Sequence, residues 1–95
     1  MDIGLSRKNV VVTGAGRGIG QEIAIGFAEV GANVIGVDII DLTDTGEKVS
    51  AAGGSWSAYN ADLADPGSLQ ETCSKLIAAH GTVDALVNNA ALYGG

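Results

Sequence analysis

Short runs of β-branched, aromatic and other apolar residues alternate along the chain with stretches in which apolar residues recur at helical spacing. The short runs predict four strands, at residues 9–13, 33–40, 55–61 and 83–88. The first two are apolar at most positions, which is typical of strands buried on both faces of a parallel sheet. The third is weaker, because serine and asparagine interrupt it.

The first helical stretch follows a cluster of glycines. Its apolar residues recur at spacings of four, four and three, and they are Ile19, Ile23, Phe27 and Val30. This spacing predicts an apolar stripe that faces the core. Gly31 is well placed to end the helix, because glycine is favoured just after the last helical turn.

Two further helices are predicted between the later strands. The second spans 43–52, is interrupted by Gly46 and is the weaker of the two. Asp65 and Pro66 predict the start of the third, as the N-cap and the first helical residue. Gly81 is predicted to end it. Its apolar stripe consists of Leu69, Cys73, Leu76 and Ile77.

The order of these elements is βαβαβαβ. Strands that alternate with helices imply a parallel sheet with right-handed crossovers. The predicted fold class is therefore α/β, a partial Rossmann-type doubly wound sheet with strand order 3-2-1-4. The length of 95 residues suits one domain and not two, so residues 1–95 are assigned to a single dinucleotide-binding part.

The turn between the first strand and the first helix carries four glycines, in the sequence Thr13-Gly-Ala-Gly-Arg-Gly-Ile-Gly20. Gly14 allows the sharp exit from the strand, and Gly18 lets the backbone approach a pyrophosphate. Gly20 lets the helix pack close to the strand. The positive end of the helix then faces the phosphates. An ordinary glycine-rich turn is the alternative, which the location between strand and helix disfavours.

The glycine spacing is not the common G-x-G-x-x-G, because the last position counted from Gly14 would be Ile19. The spacing that fits is T-G-x-x-x-G-x-G. In this it resembles the short-chain dehydrogenase/reductase family, in its shorter branch. The resemblance extends over essentially all 95 residues.

Three more motifs of that family follow in the expected order. An aspartate, Asp38, ends the second strand, an Asp-Leu pair follows the third, and the sequence Asn-Asn-Ala-Ala follows the fourth, at residues 88–91. The family usually has glycine where Ala91 stands. This departure adds one methyl group to the turn.

The resemblance implies ten cofactor-binding residues: Gly14, Arg17, Gly18, Ile19, Gly20, Asp38, Asp62, Leu63, Asn89 and Ala90. The five turn residues would border the pyrophosphate and adenosine. Asp38 would accept hydrogen bonds from the adenosine ribose, Asp62 and Leu63 would contact the adenine, and Asn89 and Ala90 would lie along the ribose. Simpler explanations are a solvated strand end for Asp38 and a turn-initiating role for Asp62.

Two residues favour different cofactors. Arg17 lies where family members that prefer NADP often carry a base, and Asp38 lies where those that prefer NAD carry an acid. A charged hydrogen bond to the ribose contributes about 1.5–3 kcal/mol. The 2′-phosphate of NADP, about 4 Å from that carboxylate, would be repelled by roughly 4 kcal/mol. Its attraction to an exposed arginine is only about 1 kcal/mol. We therefore expect NAD, with NADP less favoured.

The family's catalytic residues have no counterpart here. The resemblance implies a tyrosine general acid/base with a lysine four residues later, a serine and an asparagine. Leu63 stands four residues after Tyr59, and the position four after Tyr93 lies beyond the sequence. No catalytic residue is assigned. The chain is expected to be the N-terminal fragment of such an enzyme, with a gene that continues, and to be inactive alone.

Composition narrows the partners. The net charge of −6 argues against nucleic acid, because phosphate backbones are bound by surplus Lys and Arg. No apolar stretch approaches the roughly 20 residues of a membrane span. The single Cys73 permits no internal disulfide, which favours a cytoplasmic location. The resemblance implies NAD(H) as a partner and a small alcohol or ketone as the substrate of the full-length parent, and a homo-oligomer is expected.

Three functions compete. The first is an NAD-dependent oxidoreductase acting on an alcohol/carbonyl pair, of which this is the cofactor-binding half. The second is a non-catalytic NAD-binding or regulatory module. A downstream Tyr-x-x-x-Lys would favour the enzyme over the module. The third is a methyl-donor-binding Rossmann domain, which the glycine spacing disfavours. The substrate cannot be inferred from this sequence.

Overall fold

A computed structural model describes residues 4–89. The elements follow one another as β1 (Asn9–Thr13), α1 (Gly18–Glu29), β2 (Asn33–Asp38), α2 (Thr43–Ala51), β3 (Ser55–Asn60), α3 (Pro66–His80) and β4 (Ala85–Asn88). The strands form one parallel sheet in the order β3-β2-β1-β4. The predicted fold class and strand order are confirmed.

The sheet is covered on both faces, as the apolar β1 and β2 require. Val10 and Val12 of β1 point toward α1 and α2, where they pack in one core cluster with Ala24 and Val49. Residues at the intervening positions point to the other face. There Val11, Ile35 and Val37 pack with Leu76 of α3. Alternation along each strand thus divides the core into two layers.

The buried face of α1 differs from the predicted stripe. Ile19 is 72% exposed. The buried residues of the helix are small or polar: Gly20, Gln21, Ala24 and Ala28. Ile23 and Phe27 are only partly buried at the margin of the cluster. Small side chains lie innermost because they let the helix axis approach the sheet closely, and the larger ones flank the contact.

The third helix is bounded as predicted. The Asp65 carboxylate accepts a hydrogen bond from the Gly67 N–H at 3.0 Å, and Gly81 follows the helix at a φ of 81°. The predicted stripe is largely wrong: Cys73 is exposed, and so are Leu69 and Ile77. Leu76 is buried together with the polar Thr72, which no hydropathy pattern would select.

Three strands are shorter than predicted, and of these β3 ends at Asn60 rather than at residue 61. Ile39 and Ile40 lie beyond the end of β2 because the Asp38 carboxylate accepts hydrogen bonds from both of their N–H groups, at 2.7 and 3.4 Å. The side chain thereby turns the backbone out of the sheet. Likewise β4 begins at Ala85 rather than at residue 83.

Trp56 packs between β2 and α2. Its indole lies across Gly36 of β2 and Gly46 of α2, and a Cβ at Gly46 would be 2.5 Å from Nε1. Gly46 therefore does not merely interrupt α2. It leaves room for the indole between helix and sheet.

Within the described range no helix is long and apolar enough to cross a membrane.

Candidate dinucleotide-binding site

The chain reverses its direction of travel across the sheet between β1 and β4. From β1 it proceeds through α1 to β2 and then to β3, and α3 carries it back over the opposite face to β4. The carboxyl ends of β1 and β4 therefore border a crevice. In doubly wound sheets ligands bind at this kind of switch point.

The glycine turn has the backbone that its sequence predicts. Gly14 adopts a φ of 66° and donates its N–H to the Val37 carbonyl at 2.8 Å. Gly18, at a φ of 58°, begins α1, and a Cβ there would meet no atom within 4 Å. Arg17 precedes the helix in extended conformation and supplies no side-chain cap. Its exposed neighbour Gly18 thus leaves one side of the helix N-terminus open to a ligand.

Gly20 of α1 packs closely against Gly14, the residue that follows β1. A Cβ at this position would overlap the Gly14 carbonyl oxygen and come within 2.7 Å of the Gly14 carbonyl carbon and the Asn89 Nδ2. Backbone atoms cannot rotate out of the way. The predicted packing role of Gly20 is confirmed.

Asp38 lies beside the turn with its carboxylate held on both oxygens. Oδ2 accepts the Gly16 N–H at 2.9 Å, and Oδ1 accepts the Ile39 N–H at 2.7 Å. A Cβ at Gly16 would lie 2.5 Å from Ile40 Cγ1 and 2.9 Å from Asp38 Oδ2. Gly16 is a site residue that the sequence interpretation missed, although its place as a second glycine in the turn was a signal.

Thr13 joins the turn to the end of β4. Its hydroxyl accepts the Asn89 N–H at 2.9 Å and is 3.2 Å from the Asn88 Oδ1. The Asn89 side chain reaches the Gly14 carbonyl at 3.4 Å. Asn88 thus helps to tie the central strands together, and Asn89 lies against the turn. Thr13 was noted only as part of the motif, yet it holds both asparagines.

The Asp-Leu pair that follows β3, Asp62 and Leu63, makes contacts of a different kind from those of Asn88 and Asn89. The exposed Asp62 accepts the Ala64 N–H at 3.0 Å, the bond of a turn-initiating aspartate. Leu63 is half-buried against the α3 side of the core. That Asp62 and Leu63 contact an adenine stays a prediction. Ala90 lies outside the described residues.

Two carboxyl groups near the start of α2 have a lowered pKa. Hydrogen bonds from the Thr43 hydroxyl and N–H lower the pKa of Asp41. A hydrogen bond from Gln21, followed by the contacts of Lys48, lowers the pKa of Asp44. Within residues 4–89 no group of His, Cys, Asp and Glu side chains is arranged to hold a metal ion.

Tyr59 is placed on the α3 side of the sheet. Its hydroxyl lies 3.1 Å from the His80 Nε2, and the two rings meet edge to face. This contact joins β3 to the last residue of α3.

A doubly wound sheet with this turn, an open helix N-terminus and an acid at the end of β2 defines a Rossmann-type dinucleotide-binding protein. Residues 8–95 match the family model described as short chain dehydrogenase. The chain belongs to the short-chain dehydrogenase family.

Individual relatives agree with this. The chain is 39% identical over 88 residues to a 2-dehydro-3-deoxy-D-gluconate 5-dehydrogenase of Dickeya dadantii, covering 93% of this chain and 35% of the relative. A metagenomic short-chain oxidoreductase in complex with NADP has a TM-score of 0.86 at 38% identity, covering 96% of this chain and 43% of that one. An NADH-dependent reductase complexed with NAD has a TM-score of 0.85 at 30% identity, covering 93% and 38%.

The chain spans about a third of the length of several curated relatives that it matches, 35% for the Dickeya enzyme. Structural neighbours have been solved with NAD and with NADP. Nicotinamide dinucleotide binding is thereby supported at the level of NAD(P).

Proposed function

We propose that the chain binds NAD in preference to NADP, at the crevice between the glycine turn and Asn89. The ligand contacts would come from Gly14, Arg17, Gly18, Ile19, Gly20, Asp38, Asp62, Leu63, Asn89 and Ala90. The open space beside Gly18 and the uncapped helix N-terminus suit a pyrophosphate, and the Asp38 carboxylate suits a ribose. When bound, the dinucleotide would supply hydride-transfer chemistry.

The observation that carries the preference is the anchoring of Asp38. Its carboxylate is held by the Gly16 and Ile39 N–H groups and cannot swing away without losing both hydrogen bonds. A ribose phosphate about 4 Å away would be repelled by roughly 4 kcal/mol at an effective dielectric of about 20. The exposed Arg17 would return about 1 kcal/mol. The balance favours a ribose with a free hydroxyl.

Calorimetric titration tests this preference. We expect NAD(H) to bind at least about ten-fold tighter than NADP(H), since about 1.4 kcal/mol suffices for that ratio. Asp38→Ala should reduce this difference between the NAD(H) and NADP(H) dissociation constants. Glu47→Ala is the control, because it removes the same charge from the exposed surface of α2. Equal or tighter NADP(H) binding by the unchanged protein would overturn the assignment.

We further propose that the whole protein is an oxidoreductase for an alcohol/carbonyl pair, with residues 1–95 as the dinucleotide-binding part of one domain. The family membership supports this. No described residue is proposed as the general acid or base. The alternative is a non-catalytic NAD-binding or regulatory module, and a Tyr-x-x-x-Lys motif in the whole protein would favour the enzyme. Reduction of NAD by a panel of secondary alcohols distinguishes the two.

A cytoplasmic location and a homo-oligomeric state complete the proposal. The lone, exposed Cys73 is compatible with a reducing compartment. Leu86 of β4 is 64% exposed on the same sheet face as the buried Val11, its register partner. Among the described strands β4 is hydrogen-bonded only to β1, so its other edge offers N–H and C=O groups to a second chain.

A further inference from the structure

A polar network connects α1 and α2 behind the glycine turn, and its central side chains, Gln21 and Thr45, are buried. The Thr45 hydroxyl, fully buried, donates to the Ala15 carbonyl at 2.7 Å. The Gln21 amide donates to the Thr45 oxygen at 2.9 Å and to the Asp44 carboxylate at 3.0 Å. Lys48 donates to the Gln21 carbonyl oxygen at 3.1 Å. Thr45 is therefore held as an acceptor by one side chain while it donates to the turn.

The carbonyl that Thr45 holds belongs to the same peptide group as the N–H that holds Asp38. Ala15 supplies the C=O and Gly16 supplies the N–H, which donates to Asp38 Oδ2 at 2.9 Å. A peptide group is planar, and in the trans form its C=O and N–H point in opposite directions. The hydrogen bond on one end therefore fixes the direction of the other.

We propose that Thr45, supported by Gln21, is a positioning residue for nucleotide choice: by fixing the Ala15–Gly16 peptide group it holds the Asp38 carboxylate toward the ribose site. This proposal rests on the function proposed above. It assigns a role in cofactor specificity to two residues outside the ten predicted ligand contacts. A contact that only joined α1 to α2 would not need to end on this peptide group.

The test is the ratio of the NADP(H) and NAD(H) dissociation constants, measured by calorimetry. Thr45→Val keeps the buried volume and removes the hydroxyl. We expect it to reduce the preference for NAD(H) by about five-fold, the effect of one hydrogen bond of ordinary strength. Thr45→Ser, which restores the hydroxyl, should return the ratio to that of the unchanged protein. Thr43→Val is the matched control, because Thr43 is exposed on the same helix and its hydroxyl donates to Asp41 rather than to the glycine turn.

A double variant separates positioning from mere stabilisation. In an Asp38→Ala background, Thr45→Val should leave the ratio unchanged, because the carboxylate through which it acts is gone. If Thr45 only stabilised the fold, Thr45→Val would instead weaken the binding of both nucleotides equally, with or without Asp38. If Thr45→Val does not fold, Gln21→Met tests the same path from one bond further away, and its ratio should fall in the same direction.

Two outcomes overturn different claims. The positioning role alone is refuted if the unchanged protein prefers NAD(H) and both Thr45→Val and Gln21→Met keep its ratio of dissociation constants. An unchanged protein that binds neither nucleotide, or does not prefer NAD(H), refutes the proposed function and the positioning role with it.

Discussion

Replacing Gly20 by alanine should destabilise the protein, although alanine is the better helix former. Gly20 is the third residue of α1. Helix propensity alone predicts a gain of up to about 1 kcal/mol for this change. The added methyl group, however, would overlap the Gly14 carbonyl oxygen and lie 2.7 Å from the Gly14 carbonyl carbon. The helix would have to move away from β1.

The cost of that movement outweighs the propensity gain. Extra methyl groups forced into close-packed regions typically cost about 1–3 kcal/mol. Here the cost lies at the upper end, because the obstructing atoms are backbone and Asn89 Nδ2 is crowded as well, at 2.7 Å. We expect a net loss of about 1–2 kcal/mol in the free energy of unfolding, which is the difference between these two effects.

Gly26→Ala provides the control in the same helix. A Cβ at Gly26 would meet no atom within 4 Å, so only the propensity gain remains. This variant should be stabilised by up to about 1 kcal/mol. The pair is compared by urea unfolding followed by circular dichroism, with NAD titrations alongside. If Gly20→Ala were as stable as Gly26→Ala, the close approach of α1 to β1 would be refuted.

Two further changes test the ligand space and the free edge. Gly18→Val should abolish dinucleotide binding in calorimetry, because the valine side chain would enter the open space beside the turn. The circular dichroism spectrum should persist, since the φ of 58° adds a backbone strain of only about 1–2 kcal/mol. Retained affinity in a folded variant would place the phosphates elsewhere. Size-exclusion chromatography with light scattering should show that the unchanged protein self-associates. Leu86→Lys should weaken this self-association, because a charge replaces an exposed apolar side chain. A monomeric unchanged protein would contradict this prediction.

The strands and their order could be predicted because their signals are local. Apolar runs mark β1 and β2, and alternation with helices then determines a parallel sheet. The residues at which the strands end were harder to predict. Ile39 continues the apolar run of β2, yet the Asp38 carboxylate takes its N–H out of the sheet. A pattern of hydropathy does not contain that competition between side chain and backbone.

The buried faces of the helices were predicted less well, for a different reason. Hydropathy gives the greatest weight to large side chains such as Ile19, whereas close packing of α1 on the sheet selects Ala24 and Ala28. In α3 the buried Thr72 carries no hydrophobic signal at all. Which side of a helix meets the sheet depends on the distance between them, and no single helix specifies that distance.

The supporting contacts of the turn were missed because they are remote in sequence. Thr45 is thirty residues from the Ala15 carbonyl that it holds, and Gln21 looks like an ordinary polar residue of a helix. The glycine motif identifies where the backbone must bend. It does not reveal which side chains from other elements keep it bent.

The glycine turn is held from two sides by residues from different parts of the fold. On the β4 side, Thr13 binds the Asn89 N–H, and Asn89 reaches the Gly14 carbonyl. On the α2 side, Thr45 holds the Ala15 carbonyl, and the adjoining N–H holds Asp38. The two sets of contacts end on successive peptide groups of the turn. Changes on the β4 side should therefore alter how closely α1 packs, whereas changes on the α2 side should alter which ribose is preferred.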